Sequence, residues 1–459
     1  MSEQKPTLPK GTRDFGPDKM IRRNYILNII RSAFTKYGFL PLETPALENL
    51  SVLTGKYGEE GDKLIFKILN SGDFLKGITE VDIAEGAKKL APKIAEKALK
   101  YDLTVPFARF VVMNRNEITF PFRRYQIQPV WRADNPQKGR YREFYQCDAD
   151  VIGTNSLICE AELIMLLNEV FNKLKITEIS IKINNRKILS GITEIIGKKG
   201  SETDLCVAID KLDKIGKKGV EAELKEKGFS DEDLAKLNPL FEINGNSEAI
   251  LASLKKLLFS SEIGFKGVKE LEKVFSYLKS AGYTGILPVI DITLARGLNY
   301  YTGAILEVKV NNVKIGSISG GGRYDNLTGI FGLPDVSGVG ISFGVDRIYD
   351  VMEELSLFPT EIQQSISQVM IAYFDTESEH YALNIIGKLR EAGISSEIYP
   401  EAAKMKKQLN YANAKNIPKV VIIGTEEIST GLLTVKNMIT GEQEKKGVDQ
   451  LINELTISV

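Results

Sequence analysis

The reading of the fold turns on one stretch, Phe122-Arg-Arg-Tyr-Gln-Ile-Gln-Pro-Val-Trp-Arg132, then Ala-Asp-Asn-Pro-Gln-Lys-Gly139, then Arg140-Tyr-Arg-Glu-Phe-Tyr-Gln-Cys-Asp-Ala-Asp-Val151. From Phe122 to Gly153 the pattern has period two, which predicts two strands joined by an arginine-rich connection. In the second strand Phe144, Gln146, Asp148 and Asp150 share one face, and Tyr145, Cys147, Ala149 and Val151 share the other. The second face is core. The first has two readings, the solvated side of an antiparallel sheet or a ligand face. In the connection, Arg132, Lys138, Arg140 and Arg142 stand beside a strand that opens on an aromatic residue. Guanidinium groups bind phosphate oxygens bidentately and keep their charge, and a phenyl face can stack a base. An anionic nucleotide above this sheet explains the grouping economically, with a solvated charged loop as the alternative.

On the N-terminal side, Ile21, Tyr25, Ile26, Ile29, Ile30 and Phe34 recur at helical spacing from Asp18 to Tyr37, and Gly38 is placed to end the helix. Glu85 to Lys100 is Lys/Ala-rich and reads as a helix interrupted near Pro92. On the C-terminal side, residues 197–282 are Lys/Glu/Leu-rich with helical periodicity, as in an inserted helical module. Strand patterning returns from Ile286 to Val313 and from Gly316 to Gly344, followed by a helix over Val345 to Leu355 and a polar linker over Phe358 to Ser367. Beyond it, strands at Val369–Phe374, Ser396–Tyr399 and Val420–Ile423 alternate with helices at Glu377–Ala392 and Ala402–Ala414. This alternation predicts a small α/β domain with a largely parallel sheet.

Composition narrows the function classes. The 459 residues suffice for a catalytic core with accessory domains, and 60 basic residues balance 60 acidic ones, so any nucleic-acid contact must be local. No apolar run approaches the about eighteen residues of a membrane span, and the N-terminus is polar, which predicts a cytoplasmic protein without membrane association. Three cysteines, none spaced C-x-x-C, read as reduced thiols. The single histidine, His380, excludes H-E-x-x-H and Cys₂His₂ zinc sites and reads as a solvated residue beside the polar side of a helix. Each Gly-Lys dipeptide lacks a following Ser or Thr, which excludes a P-loop, and Gly338 to Gly344 has one residue too many for the dinucleotide fingerprint.

Phe122 to Arg132 with Arg140-Tyr-Arg-Glu-Phe-Tyr-Gln146 resembles motif 2 of the class II aminoacyl-tRNA synthetases, and Leu294-Ala-Arg-Gly-Leu-Asn-Tyr-Tyr-Thr-Gly303 resembles a signature of the histidyl branch. Lys10-Gly-Thr-Arg-Asp14, the motif 1-like stretch with Thr44-Pro45, Tyr101-Asp-Leu-Thr-Val-Pro106, Gly320-Gly-Gly-Arg-Tyr-Asp325 and a motif 3-like Gly338 to Arg347 follow in the family's order. The resemblance covers nearly the whole chain. It implies an α+β fold: an antiparallel-sheet catalytic core over 1–196 and 283–357, a helical insertion over 197–282, and a C-terminal α/β anticodon-binding domain over 368–459.

The same resemblance implies activation of L-histidine by ATP with Mg²⁺, transfer to tRNA(His), and a homodimer built through motif 1. Arg132 and Arg296 are then the catalytic arginines, on the α-phosphate and the substrate carboxylate. Arg140 and Arg347 contact the outer phosphates and Phe144 stacks on adenine, completing an ATP site with Arg132. Asp102, Thr104 and Gln146 bind the α-amino group, with Leu103 also in the histidine site, while Asp150 and Tyr301, with Tyr300 alongside, read the imidazole. No side chain is assigned as a metal ligand. Asn299 stands where the family signature usually has Asp. For tRNA, the candidates are Lys404, Lys406, Lys407, Lys415 and Lys419 in the last domain, and Lys198, Lys199, Lys217 and Lys218 in the insertion.

Two other readings compete. A synthetase-like regulatory subunit of histidine biosynthesis keeps the fold but typically lacks the anticodon domain and the Arg-Gly-Leu-x-Tyr-Tyr strand, both present here. A serine hydrolase is suggested by Gly340-Ile-Ser-Phe-Gly344 with His380 after it, but no HGGG-type oxyanion loop precedes the serine.

Overall fold

The hairpin forms as the alternation predicts, and it is the centre of the main sheet. A computed structural model describes residues 5–209, 211–294, 300–359 and 365–457. Chain contacts divide the molecule into two units, Arg23–Leu357 with the segment before Phe15, and Phe358–Val459 with Phe15–Arg22.

In the first unit the strands are β1 (Leu40–Pro41), β2 (Leu47–Asn49), β3 (Lys67–Ile68), β4 (Lys97–Leu99), β5 (Phe122–Trp131), β6 (Glu143–Ile152), β7 (Ile179–Asn185), β8 (Val289–Ile290), β9 (Ala304–Val310), β10 (Ser319–Tyr324) and β11 (Gly338–Gly344). Eight of them make one sheet in the order β1-β5-β6-β11-β10-β9-β7-β8. Pairing is antiparallel except at the two edges, where β1 joins β5 and β8 joins β7 in parallel. The α+β expectation therefore holds.

One face of this sheet is apolar and covered by helices. Cys147, Ala149 and Val151 are buried there. Phe34, from the helix Pro17–Lys36, packs 5.5 Å from the Tyr125 ring and 5.9 Å from Phe343. Phe171, from the helix Ile158–Lys173, reaches the same Phe343 at 5.5 Å. The opposite face carries the polar residues of the hairpin and remains for the site.

Between β7 and β8 run the helices Arg186–Ile195, Glu202–Ile209, Leu212–Glu226, Asp231–Glu242, Ser247–Leu257 and Glu262–Ser280. The first and last pack closely through Gly191 and Gly264: a Cβ on Gly191 would lie 2.4 Å from the Gly264 Cα. The stretch read as a helix over Glu85 to Lys100 is split. Helix Ala87–Ile94 continues through Pro92, and the chain then extends as β4, the middle strand of a small β2-β4-β3 sheet. Proline removes one backbone donor, and an exposed eight-residue helix tolerates that loss in its last turn. Ala98 on β4 is fully buried, which favours the strand.

In the second unit β12 (Val369–Tyr373), β13 (Ser396–Ile398), β14 (Lys419–Ile423), β15 (Leu433–Asn437) and β16 (Gln443–Lys446) form a sheet ordered β13-β12-β14-β15-β16. The α/β half is as expected, with helices Thr376–Glu391 and Met405–Ala414 between its strands. The sheet is only half parallel, however, because β14, β15 and β16 pair antiparallel. Lys/Glu-rich β16 is an edge strand, and charge on an edge conceals strand periodicity.

Candidate active site

Register places the polar face in rungs that run across the sheet. Gln126 on β5 is opposite Asp148 on β6, which is opposite Ser342 on β11, then Gly320 on β10 and Glu307 on β9. The next rung reads Arg124, Asp150, Gly340, Gly322, Ile305. Directly opposed residues project to the same side and touch. Glycine at 340 is required by its neighbour: a Cβ there would come within 2.0 Å of the Asp150 Oδ1.

Above the rungs lies a cavity of about 350 Å³, lined among others by Asp102, Thr104, Arg132, Arg140, Phe144, Gln146, Asp148, Tyr300, Tyr301, Ser342 and Arg347. Asp102 precedes the helix Thr104–Met113 and accepts from the Val105 amide at 3.1 Å, as an anion at a helix N-terminus does. It also accepts from the Tyr57 hydroxyl at 3.0 Å and the Tyr300 hydroxyl at 3.1 Å. Burial raises its carboxyl above the usual range, against the Val105 amide and Arg132, which favour the ionised form. The Arg132 guanidinium stands 4.3 Å from the Tyr101 ring and 5.2 Å from the Phe144 ring, with Nε donating to the Tyr101 carbonyl at 3.1 Å. A cation is thus held within cation–π range of two aromatic rings.

At the far end Arg347 donates to the carbonyls of Gly139 at 2.6 Å and Ser317 at 2.7 Å. Asp346 also lines the cavity. Buried Arg23 pairs with it at 2.7 Å, and Arg13 pairs with it while lying 3.2 Å over the Tyr141 ring. Two guanidiniums therefore mask the Asp346 carboxylate.

Family models for histidyl-tRNA synthetase and for an anticodon-binding domain match residues 87–348 and 368–456. A histidine–tRNA ligase of Cytophaga hutchinsonii is 61% identical over 452 residues, 98% of this chain and 100% of that protein. The chain belongs to the histidyl-tRNA synthetase family. A histidine–tRNA ligase of Bacteroides fragilis is 57% identical, with 98% of this chain and 99% of that one covered. The crystal structure of histidyl-tRNA synthetase from Nostoc sp. PCC 7120 superposes with a TM-score of 0.82 at 31% identity, covering 99% of both chains. A Bacillus halodurans structure described as an ATP phosphoribosyltransferase regulatory subunit/histidyl-tRNA synthetase, 21% identical with a TM-score of 0.70, covers 88% of this chain and 96% of that one and shares the fold. Identity with the ligases favours the synthetase reading over the regulatory one.

Within this synthetase fold most of the expected residues converge on the cavity, and two do not line it. Leu103 is fully buried, and its carbonyl accepts from Arg124 at 3.3 Å. Asp150 lies behind the wall, with Oδ1 accepting from the Tyr324 hydroxyl at 2.7 Å and Oδ2 2.9 Å from the Arg124 guanidinium. Arg296 and Asn299 fall outside the described residues. Arg140 is exposed, 3.6 Å from Asp134. Ser342 accepts from Gln146 at 2.9 Å inside β11 rather than standing on a strand-to-helix turn, and the identity with ligases leaves the hydrolase reading without support. Arg323 of the Gly-Gly-Gly-Arg-Tyr-Asp run is structural, bidentate to Glu160 at 2.6 and 2.7 Å.

Sequence reasoning missed Arg124, Tyr324, Asp346 and Asp148 as a set. Their signal was available in the alternation, since Arg124 and Asp148 occupy ligand-face positions of β5 and β6. Burial pushes the Asp148 carboxyl up to about 7, opposed by Arg124 and reinforced by Asp150. A carboxyl raised by folding stabilises at low pH and loses that contribution as pH rises through its folded value. Asp148→Asn should therefore gain stability over wild type by about 2–3 kcal/mol between pH 5 and pH 8. Urea unfolding at both pH values measures this, and a difference independent of pH would contradict it.

Proposed function

We infer that the protein activates L-histidine with ATP to histidyl-adenylate and pyrophosphate, then transfers histidine to the 3′ end of tRNA(His). The observation that carries this reading is the cavity, where Arg132, within cation–π range of Tyr101 and Phe144, shares the lining with Gln146, Tyr300 and Tyr301. In the first step a carboxylate oxygen of histidine attacks the α-phosphorus, and the bond to the β-phosphate oxygen breaks as pyrophosphate leaves. In the second the terminal 3′-hydroxyl of tRNA attacks the adenylate carbonyl, gives up its proton, and AMP leaves. Two anions must meet in the first step, so positioning and charge stabilisation dominate.

The proposed roles follow the places of the residues. Arg132, with Arg296, holds the α-phosphate and carboxylate. Arg140 and Arg347 take the outer phosphates, Phe144 the adenine, and Asp102, Thr104 and Gln146 the ammonium group. Tyr300 and Tyr301 face the imidazole. For Asp150 to read the ring, the imidazole N–H must share or displace its bond from Tyr324. Mg²⁺ typically binds through phosphates and one or two carboxylates, and Glu307, which lines the cavity while engaged by Ser317 and Lys309, is one carboxylate that would hold it. Bound there it would neutralise phosphate charge.

We further propose the division into 1–196 and 283–357 as core, 197–282 as insertion and 368–459 as anticodon-binding domain, a homodimer, and action in the cytoplasm. Leu40 and Leu47, exposed in the motif 1-like stretch, support self-association, and no described helix is long and apolar enough to cross a membrane. For tRNA phosphates, exposed Lys404 and Lys406 are better placed than Lys407, Lys415 and Lys419, which pair with Glu401, Glu397 and Glu454. In the insertion, exposed Lys199, Lys217 and Lys218 are better candidates than Lys198, which bonds to the Gly228 carbonyl at 2.8 Å.

ATP–pyrophosphate exchange across the twenty amino acids tests the activity. Histidine is expected to support exchange far above the rest, because apolar competitors leave the cavity's polar groups unpaired. Equal exchange with another amino acid would refute the assignment.

A further inference from the structure

Ser342 belongs to a motif that the roles above leave unused. It projects from β11 directly opposite Asp148, and Gln146 donates from Nε2 to its hydroxyl oxygen at 2.9 Å. Asp148 is 2% exposed, and its side chain projects from β6 on the same face as Ser342, at the directly opposed register position. Two buried oxygens of this group have no hydrogen-bond partner among the described residues, Oδ1 of Asp148 and Oε1 of Gln146, and both residues line the cavity.

With Asp148 ionised, the proton count favours one arrangement. A carboxylate can only accept, and a serine hydroxyl has one proton to give. If Ser342 donates to Asp148, its remaining lone pairs must be met by a donor, and the Gln146 amide nitrogen is that donor. The Gln146 carbonyl oxygen is then left free for the cavity. Without this chain the two ends of the amide are nearly equivalent in shape, and Nε2 could turn toward the cavity, where it would repel a cation.

We propose that Ser342 is a positioning residue: oriented by Asp148, it locks the Gln146 amide with Oε1 toward the cavity, where it receives the ammonium group of the amino acid. This rests on the reading of Gln146 as an ammonium ligand. The arriving cation also favours the ionised form of Asp148, which tightens the chain.

The test separates ammonium recognition from the general shape of the pocket. Exchange kinetics give KM for histidine and for ATP, and competitive inhibition by 3-(imidazol-4-yl)propionate reports a ligand with the ring and carboxylate but no amine. Ser342→Ala is expected to raise KM for histidine about three- to tenfold, the loss of one hydrogen bond, with KM for ATP and the inhibition constant held within about twofold. Ser342→Thr keeps the hydroxyl and should restore KM. If Ser342→Ala does not fold, Asp148→Asn should show the same separation, since its amide can donate to Ser342 and release Gln146. Equal weakening of histidine and the analogue, no change in either, or a Ser342→Thr variant as impaired as Ser342→Ala overturns the proposal. Gln146→Ala distinguishes the two levels. If it separates histidine from the analogue and Ser342→Ala does not, the relay alone fails; if Gln146→Ala does not separate them, the ammonium reading itself is wrong.

Discussion

Arg132→Ala is expected to lower kcat for histidine-dependent ATP–pyrophosphate exchange by about 100- to 1,000-fold, the scale seen when a preorganised donor to a developing charge is removed. Its guanidinium is held before any substrate arrives, 4.3 Å from the Tyr101 ring and 5.2 Å from the Phe144 ring, with Nε bonded to the Tyr101 carbonyl as its one hydrogen bond among the described residues. The remaining N–H groups can meet the α-phosphate and the attacking carboxylate together without reorganisation. Arg132→Lys should recover little, because an ammonium presents neither the planar fork nor the stacking surface. Single-turnover adenylate formation measures the chemical step directly. A loss of less than tenfold in Arg132→Ala would remove Arg132 from the centre of the reaction.

The second large effect is on stability. Arg124 is fully buried, lies 4.3 Å over the Phe107 ring, and is 2.9 Å from the Asp150 carboxylate, with Asp148 in the neighbouring rung. Burial raises both carboxyls above their usual range, and Arg124 is the principal influence opposing that rise. Arg124→Leu would leave two buried acids without their cation, at a cost of about 3–5 kcal/mol. Protonation relieves that cost, so the variant should be much less impaired at pH 5 than at pH 8. Chemical unfolding at the two pH values decides it. A small deficit that ignores pH would show that Arg124 acts by packing alone.

The hairpin and its ligand face were legible because alternation is local: period two assigns Phe144, Gln146, Asp148 and Asp150 to one side without knowledge of the rest of the chain. The roles of Arg132, Tyr300 and Tyr301 came from family resemblance alone, and the structure brings the three residues to one cavity. What alternation could not supply is which residue stands opposite which. Asp150 on the ligand face was read as a direct contact, but register sets it against Arg124 and beside Gly340, and both its oxygens are engaged. Ser342 looked like a hydrolase motif until β11 placed it across from Asp148. The hairpin β15–β16 escaped notice because its outer strand, Gln443–Lys446, is polar on both sides.

Masking of Asp346 by Arg13 and Arg23 has a practical side. Arg13 lies far from the cavity in sequence, yet it covers a carboxylate that lines the cavity beside Arg347. Proteolytic trimming past residue 13, or a rigid fusion partner that pulls this segment away from Tyr141, would leave Arg23 alone to offset Asp346 on the cavity wall proposed to take the triphosphate. Expression designs for this enzyme should therefore place affinity tags at the other terminus, and preparations clipped near the start should be expected to bind nucleotide poorly even when the sheet is intact.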